Sequence, residues 1–490
     1  MQDGSCLWRA AALGALLIGL SHSHATAQDY FLPPVPPFND GYGEATSTSY
    51  NTMMFELEQR LAALEDKDKE KKDKEKKDKE EEACKEIDIL TKPTMKVFGR
   101  VHFDYWGFPE ESPLANFLSS SGDPAEGPPD FIGFRRLRIG VSGKVNETME
   151  YKMEMEFASP DNLAFKDAYL GWNELPLLHT VQVGNQKRPY GLDHLNSSRY
   201  NVFLERPFHV EAFNQDARRL GIQSYGLSED ERWNWRFGGF IMDDLQNPGF
   251  QYTDNYQPEF AARLANTIWY DDTSDGRGYA HWAVSTSAAF PGGGPDARFR
   301  TRPEARTQNR WFDTGPIFRG QTYQLLGFEG VVNVGRLSAV GEYQNAWVQR
   351  TANSDLNFGG GYVYVAYWLT EDYSPWDRKT GTLDRTEPLE NAFAVRTCEG
   401  GRANGWGAWQ VGARYSYGDF SDNDILGGIG ESFTLGLNWW WNPRGRIQFN
   451  YIHGDISRRD PATTGGAALP VGVGTSGDYD AYGVRLMVDF

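Results

Sequence analysis

An all-β transmembrane barrel of about 16 antiparallel strands, preceded by an N-terminal helical or coiled-coil stalk, is the fold class that this sequence predicts. Three observations carry the prediction. From Met95 to Phe490 apolar and polar residues alternate with a period of two in segment after segment, the spacing at which successive side chains reach opposite faces of a strand. Beyond the N-terminus no stretch reaches the ~18 consecutive apolar residues that a membrane-crossing helix needs. The chain is polar on average, yet it carries 16 Trp, 24 Tyr, 29 Phe and 53 Gly. That composition suits strands with one face toward lipid and the other toward water.

The elements follow in chain order. Arg9 precedes the apolar run Ala10 to Leu20, and Ala25-Thr26-Ala27 supplies a small-residue cleavage site. Residues 1–27 are therefore expected to be an export signal, with the mature chain starting near Gln28. Residues 28–49, with Phe31-Leu-Pro-Pro-Val-Pro-Pro-Phe38, form a Pro-rich linker. Over 50–90 a stalk is expected. Tyr50, Met54, Leu57, Leu61 and Leu64 lie at heptad spacing, and eight lysines and nine acids follow from Asp66 to Glu82. The apolar seam asks for partner helices, whereas the charged run could live on i,i+4 pairs as a single helix or remain a spacer. Both readings stay open.

The barrel is expected over 95–490. Met149-Glu-Tyr-Lys-Met-Glu-Met-Glu-Phe157 shows the pattern most plainly: Met149, Tyr151, Met153, Met155 and Phe157 alternate with Glu150, Lys152, Glu154 and Glu156. Sixteen such segments are expected near 95–107, 133–144, 149–157, 164–173, 177–188, 217–226, 233–243, 259–270, 278–289, 322–334, 336–349, 361–370, 406–417, 432–441, 444–454 and 480–490. An even count places both ends on one side, the periplasm. Short turns such as 145–148 then alternate with the long external loops 108–132, 189–216, 290–321 and 455–479. Residues 371–405 break this rule, being either an elaborated periplasmic turn or missed strands.

Several of these segments resemble the phosphate-selective porin O and P family, in a diverged form like that of planctomycetes. Val183-Gly-Asn-Gln-Lys-Arg-Pro-Tyr-Gly-Leu-Asp193, with Ser197-Ser198 and Leu204-Glu-Arg206, is similar to that family's strand entering the pore loop. Phe328-Glu329, Gly341-Glu-Tyr343 and Leu369-Thr-Glu-Asp372 resemble mid-barrel segments, the last without the family's glycine. The most specific matches are Gly405-Trp-Gly-Ala-Trp-Gln-Val-Gly-Ala-Arg-Tyr-Ser-Tyr417 and Leu435-Gly-Leu-Asn-Trp439. The resemblance covers about 95–490. It implies a sixteen-stranded homotrimeric outer-membrane porin whose third external loop, here 189–216, folds inward. It also implies that Arg135-Arg136 lies near the constriction, and that Asp167 and Lys187 sit in strands contributing to an anion site.

Such a channel acts through pore geometry, lining charge and constriction. Alternation alone turns thirteen basic residues inward (Lys96, Arg100, Arg136, Arg138, Lys144, Lys152, Arg188, Arg219, Arg236, Arg263, Arg414, Arg446 and Arg485). Eight acidic ones share that face: Asp104, Glu150, Glu154, Glu156, Asp167, Glu329, Glu342 and Asp489. A positive lumen in a chain of net charge -18 points to anion preference. The candidate pore-lining residues are Arg100, Arg136, Arg138, Asp167, Arg188, Arg219, Arg236, Arg263 and Arg414. Arg135 and Lys187 alternate outward, and most of the aromatic residues that can be placed face lipid. Phosphate is one candidate solute. A general channel, a sugar- or cation-preferring channel and a structural envelope barrel are the alternatives.

Other classes fit poorly. The negative charge disfavours nucleic acid, and the expected partners are small inorganic anions or other small solutes, outer-membrane lipid and copies of the chain. The eight His are scattered, with His453 near Asp455 the only close pair, so no catalytic constellation, metal site or cofactor is expected. Once Cys6 leaves with the signal, Cys84 and Cys398 remain. They are either free or joined in a disulfide between stalk and 371–405.

Overall fold

The computed structural model describes residues 92–490 apart from 110, 120–121, 159–162, 215–216, 243–256, 292–296, 394 and 397–400, together with Phe55, Lys71, Lys72, Lys74 and Lys77. The expected export signal, the linker and nearly all of the stalk lie outside the described residues, as do Cys84 and Cys398.

Sixteen strands close into one antiparallel barrel in which every neighbour in sequence is a neighbour in space. They are β1 (Lys96–Gly107), β2 (Phe131–Lys144), β3 (Met149–Glu156), β4 (Ala164–Leu175), β5 (His179–Lys187), β6 (Arg218–Leu227), β7 (Trp233–Ile241) and β8 (Pro258–Tyr270). Next come β9 (Gly278–Ala289), β10 (Gly320–Val334), β11 (Leu337–Arg350), β12 (Leu356–Trp368), β13 (Ala408–Asp422), β14 (Ile425–Asn442), β15 (Gly445–Arg459) and β16 (Gly477–Asp489). Closure comes from β1 against β16, from Arg100 opposite Asp489 to Gly107 opposite Tyr482. Phe490 and Gly99 exchange two backbone hydrogen bonds beyond that ladder. Full closure leaves no unpaired edge, which an apolar surrounding would not tolerate.

The period of two decides which face is which. On β14 the outward Phe433 and Leu435 are each 47% exposed, whereas the inward Thr434 and Asn438 are fully buried. On β3 Met153 is 41% exposed and Glu154 only 1%. Such a band of outward apolar side chains opposes water by ~25 cal/mol for each Å² it exposes and fits hydrocarbon instead. At one end of the barrel the connections are short, as at 145–148, 176–178, 335–336 and 443–444. Long loops, 108–130, 188–217, 290–319 and 460–476, gather at the other.

The lumen is far from empty. Loop 290–319 folds inward, pairs Arg300–Thr301 with Phe312–Asp313, and buries Phe299, Trp311 and Phe312. These rings meet Phe208 and Phe213 from loop 188–217 edge-on at 5.1 and 5.3 Å, and Trp311 meets Tyr479 of β16 at 5.1 Å. Phe358, Phe420, Ile425, Ile452 and Ile456 complete that cluster from β12 to β15. Strand aromatics such as Phe237, Phe328, Phe433 and Phe449 face outward as expected, while the loops carry aromatics that alternation could not place. Many of them glue inward-folded loops to the wall, because a wide barrel gives an apolar loop tip somewhere to bury.

The connection 369–407 is an elaborated turn rather than a pair of missed barrel strands. It carries two small hairpins, Trp376–Asp377 with Thr382–Leu383 and Val395–Arg396 with Arg402–Ala403, neither of which joins the barrel sheet. Trp376 and Leu383 are buried.

Candidate functional site

Loop 188–217 crosses the lumen and is tied to the wall on many sides. The Val202 carbonyl accepts from Asn438 of β14 at 3.0 Å and Gln448 of β15 at 3.1 Å. Glu342 of β11 accepts from the Asp193 backbone N–H at 2.9 Å. Glu205 receives the fork of Arg135 at 2.6 and 2.8 Å and Arg485 at 2.9 Å. Burial alone would raise the Glu205 carboxyl; Arg135 and Arg485 overcome it and hold the group well below the usual carboxylate range.

Between this loop and the wall from β1 to β7 lies a cavity of about 470 Å³. Nine cationic side chains line it: Arg100, Arg136, Arg138, Lys152, Lys187, Arg199, Arg206, Arg218 and Arg236. Two carboxylates, Glu150 and Asp167, share the lining, with Tyr169, Tyr200 and Tyr225 between the charges. A second cavity of about 630 Å³, nearer the short-turn end, shares Glu150, Lys152, Tyr169 and Arg199 with the first. It adds Lys96 and Lys144 to the lining. Both cavities lie on the β1–β4 side, and Glu150, Lys152, Tyr169 and Arg199 line each of them.

Most of the cations are held by carboxylates set into the wall. Glu154, 1% exposed, meets Arg100 at 2.6 Å, Arg138 at 3.2 Å and Arg218 at 3.5 Å. Asp167 accepts from Arg218 at 2.6 Å and Lys152 at 2.7 Å. Arg199 pairs with Asp489 at 2.9 Å and Arg206 with Asp193 at 3.1 Å. Three of the cations have no carboxylate partner among the described residues. Lys187 donates to the carbonyls of His194, Leu195 and Asn196 at 2.9, 2.7 and 2.9 Å. Arg236 reaches the Thr380 carbonyl at 3.4 Å and lies 5.3 Å from the Tyr225 ring. Arg136 faces the cavity with no ion pair or hydrogen bond among the described residues.

Of the nine candidate residues, the structure gathers Arg100, Arg136, Arg138, Asp167 and Arg236 here. The other four are clasps elsewhere in the lumen. Arg188 pairs with Glu259 at 2.7 Å, and Arg219 donates to the Met242 and Arg218 carbonyls. Arg263 pairs with Glu329, and Arg414 meets Glu304 at 2.6 Å while lying over Phe203. None of these four lines the cavity.

The outward placement of Arg135 and Lys187 is wrong, for two local reasons. Pairing of β1 with β2 passes from His102 opposite Arg136 to Phe103 opposite Phe134, leaving Arg135 as the extra residue of a bulge. A bulge re-aims side chains, so both arginines point inward. On β5 the regular alternation ends at Gly184, whose φ is +140°. Asn185 and Gln186 are then both buried, and Lys187, the last strand residue, turns in over the pore loop. Arg218 was missed for the same reason: Ala217 at φ +46° introduces β6 so that Arg218 and Arg219 are both buried. Arg199 and Arg206 belong to the inward loop, and counting charge along that loop would have found them.

Residues 122–490 match the family model described as phosphate-selective porin O and P. An uncharacterized protein of Caulobacter vibrioides is 26% identical over 369 residues, 73% of this chain and 68% of its own length. Solved structures similar to this chain include an anion-selective porin from Comamonas acidovorans, 13% identical, covering 81% of this chain and 100% of its own with a TM-score of 0.47. Another is the outer-membrane channel DcaP of Acinetobacter baumannii, 11% identical, covering 81% and 98% with a TM-score of 0.48.

Proposed function

This chain belongs to the phosphate-selective porin O and P family, and from that premise and its basic cavity we propose that it is an anion-preferring channel of the bacterial outer membrane. Small hydrophilic anions, inorganic phosphate among the candidates, diffuse passively through the cavity between the pore loop and β1–β7, which acts as the eyelet. The observation that carries the reading is the set of nine cations against two carboxylates at its lining. A low-dielectric wall focuses such a field and concentrates counter-ions. Guanidinium forks add geometry suited to oxyanions.

In this reading the long-loop end is external, the short-turn end periplasmic, and three copies assemble side by side, as the family resemblance implies. Chemical cross-linking of membranes tests the last point, a ladder ending at the dimer being the refuting result. The purified full chain in a planar bilayer under a KCl gradient tests selectivity. A reversal potential of the sign expected for chloride supports the reading; one of the opposite sign refutes it. The packed half of the lumen favours one rival, a plugged structural barrel, and bilayers that record no channels would establish that rival.

A further inference from the structure

Just before β13 the chain sets Phe393 and Trp406 against the outer face of the wall. They flank the small hairpin of Val395–Arg396 with Arg402–Ala403, whose stem is a bridge between Ala392 and Gly405. The Ala392 N–H donates to the Trp441 carbonyl, near the end of β14, at 2.8 Å. The Trp406 carbonyl accepts from two indole N–H groups, that of Trp409 on β13 at 3.0 Å and that of Trp439 on β14 at 2.9 Å. Those two rings stack at 5.3 Å, and Trp441 meets Trp439 edge-on at 6.1 Å. All three alternate with the buried Gln410, Asn438 and Trp440 and so point away from the lumen.

What this arrangement leaves uncovered is apolar. Trp406 is 79% exposed, more than any other tryptophan among the described residues. Phe393 is 67% exposed, with its ring edge-on to Trp439 at 5.6 Å. Its backbone lies at φ +62°, in the left-handed region that bulky residues rarely enter.

The patch is continuous with the band that faces hydrocarbon. Tyr367, Val411, Leu437 and Phe449 form one cross-strand row on β12 to β15, and Trp409 and Trp439 are paired in the next row toward the short turns. That step of two residues is about 7 Å along a strand. An indole has an apolar body and a polar N–H, which suits it to the boundary between hydrocarbon and headgroups.

We propose that Phe393 and Trp406 form a membrane foot. The two rings enter the headgroup layer of the bilayer at the short-turn end and widen the aromatic belt beyond the strands. The proposal rests on the membrane-barrel fold and not on anion preference.

Nitroxide labelling of the full chain in phosphatidylcholine vesicles tests it. Cys6→Ser, Cys84→Ser and Cys398→Ser supply the background, Phe393→Cys and Trp406→Cys the label sites, and Leu435→Cys a reference in the hydrocarbon band. Oxygen concentrates in lipid, whereas a polar nickel complex stays in water. The ratio of oxygen to nickel collisions at both sites should therefore exceed that of a label in water about two-fold or more and fall below that at Leu435. Labels as open to nickel as one in water would overturn the proposal. Labels shielded from both reagents would overturn it as well, and would assign the patch to a second copy of the chain. Should the cysteine variants fail to assemble, Trp406→Phe decides without a label. Lipid brominated near the headgroup should quench a component of the parent's tryptophan emission that Trp406→Phe lacks, and equal quenching of the two would overturn the proposal.

Discussion

Arg136 offers the cleanest perturbation of the eyelet, because removing it breaks no ion pair or hydrogen bond among the described residues. Its charge faces the cavity, so an anion passing about 6 Å away gains ~0.7 kcal/mol if the medium behaves as water and ~2.8 kcal/mol at an effective dielectric of about 20. A hydrated eyelet sits toward the watery limit, so ~0.7–1.4 kcal/mol is the working range, a factor of about three to ten. Arg136→Ala should therefore cut the anion-to-cation permeability ratio about three- to tenfold, and Arg136→Glu, with twice the change of charge, by about the square of that factor. The assay is the reversal potential under a KCl gradient at low salt, since at 0.1 M the Debye length is only ~10 Å. Both variants should keep the parent's thermal stability. A ratio unchanged in both would refute the placement of the ion path beside β2.

Three further outcomes separate scaffold from eyelet. Arg188→Ala strands Glu259, which is fully buried, so it should lower unfolding free energy by ~3–5 kcal/mol in urea titration while leaving the reversal potential unchanged; a stable variant would show that the pair is not a clasp. Glu154→Gln removes the carboxylate shared by Arg100, Arg138 and Arg218, so it should raise anion preference and lower stability together, and weaker anion preference would reverse the assignment of those arginines. In loop 108–130 the Glu111 carboxyl is pushed up to about 7 by burial and by Asp130 and Asp480. A raised folded-state value means stability fully present below the ordinary carboxylate range and lost as pH rises through about 7. Limited proteolysis of the loop should accordingly quicken between pH 5.5 and 8.5, and Glu111→Gln should flatten the change; identical pH profiles would exclude Glu111.

The barrel itself was legible because its cause is local and repeated. Met153 outward and Glu154 inward follow from a period that any strand must obey, and all sixteen expected segments overlap the observed strands. The site was legible only where that period held. Arg100, Arg136, Arg138 and Arg236 fall where alternation holds, and it turns them toward the cavity that they line. Arg135 and Lys187 were lost to a bulge and to a glycine at positive φ, features that cost one residue of register and thereby invert a face. The clasps Arg188, Arg219, Arg263 and Arg414 were mistaken for lining because inward direction is a property of the strand, whereas exposure to the pore depends on which loop lies over it. Nothing in the 371–405 stretch announces that it buries Trp376 against Tyr279, since that contact exists only after the barrel has closed.

A count of inward charges, thirteen against eight, treats every residue alike and so misses how the eyelet reconciles folding with a strong field. Nine bare cations around one cavity would repel one another and raise the cost of closing the barrel; nine fully neutralised ones would attract no anion. The arrangement here lies between these limits and is ordered in depth. Glu154 is nearly inaccessible while Arg100, Arg138 and Arg218, which share it, line the cavity. Each such pair presents its positive end to the passage. Arg136, Lys187 and Arg236 have no carboxylate partner among the described residues; carbonyl dipoles hold Lys187, and a carbonyl and an aromatic face hold Arg236. In the anion-channel reading, paired arginines let the barrel close, and the few cations without a carboxylate partner among the described residues set the sign of the cavity.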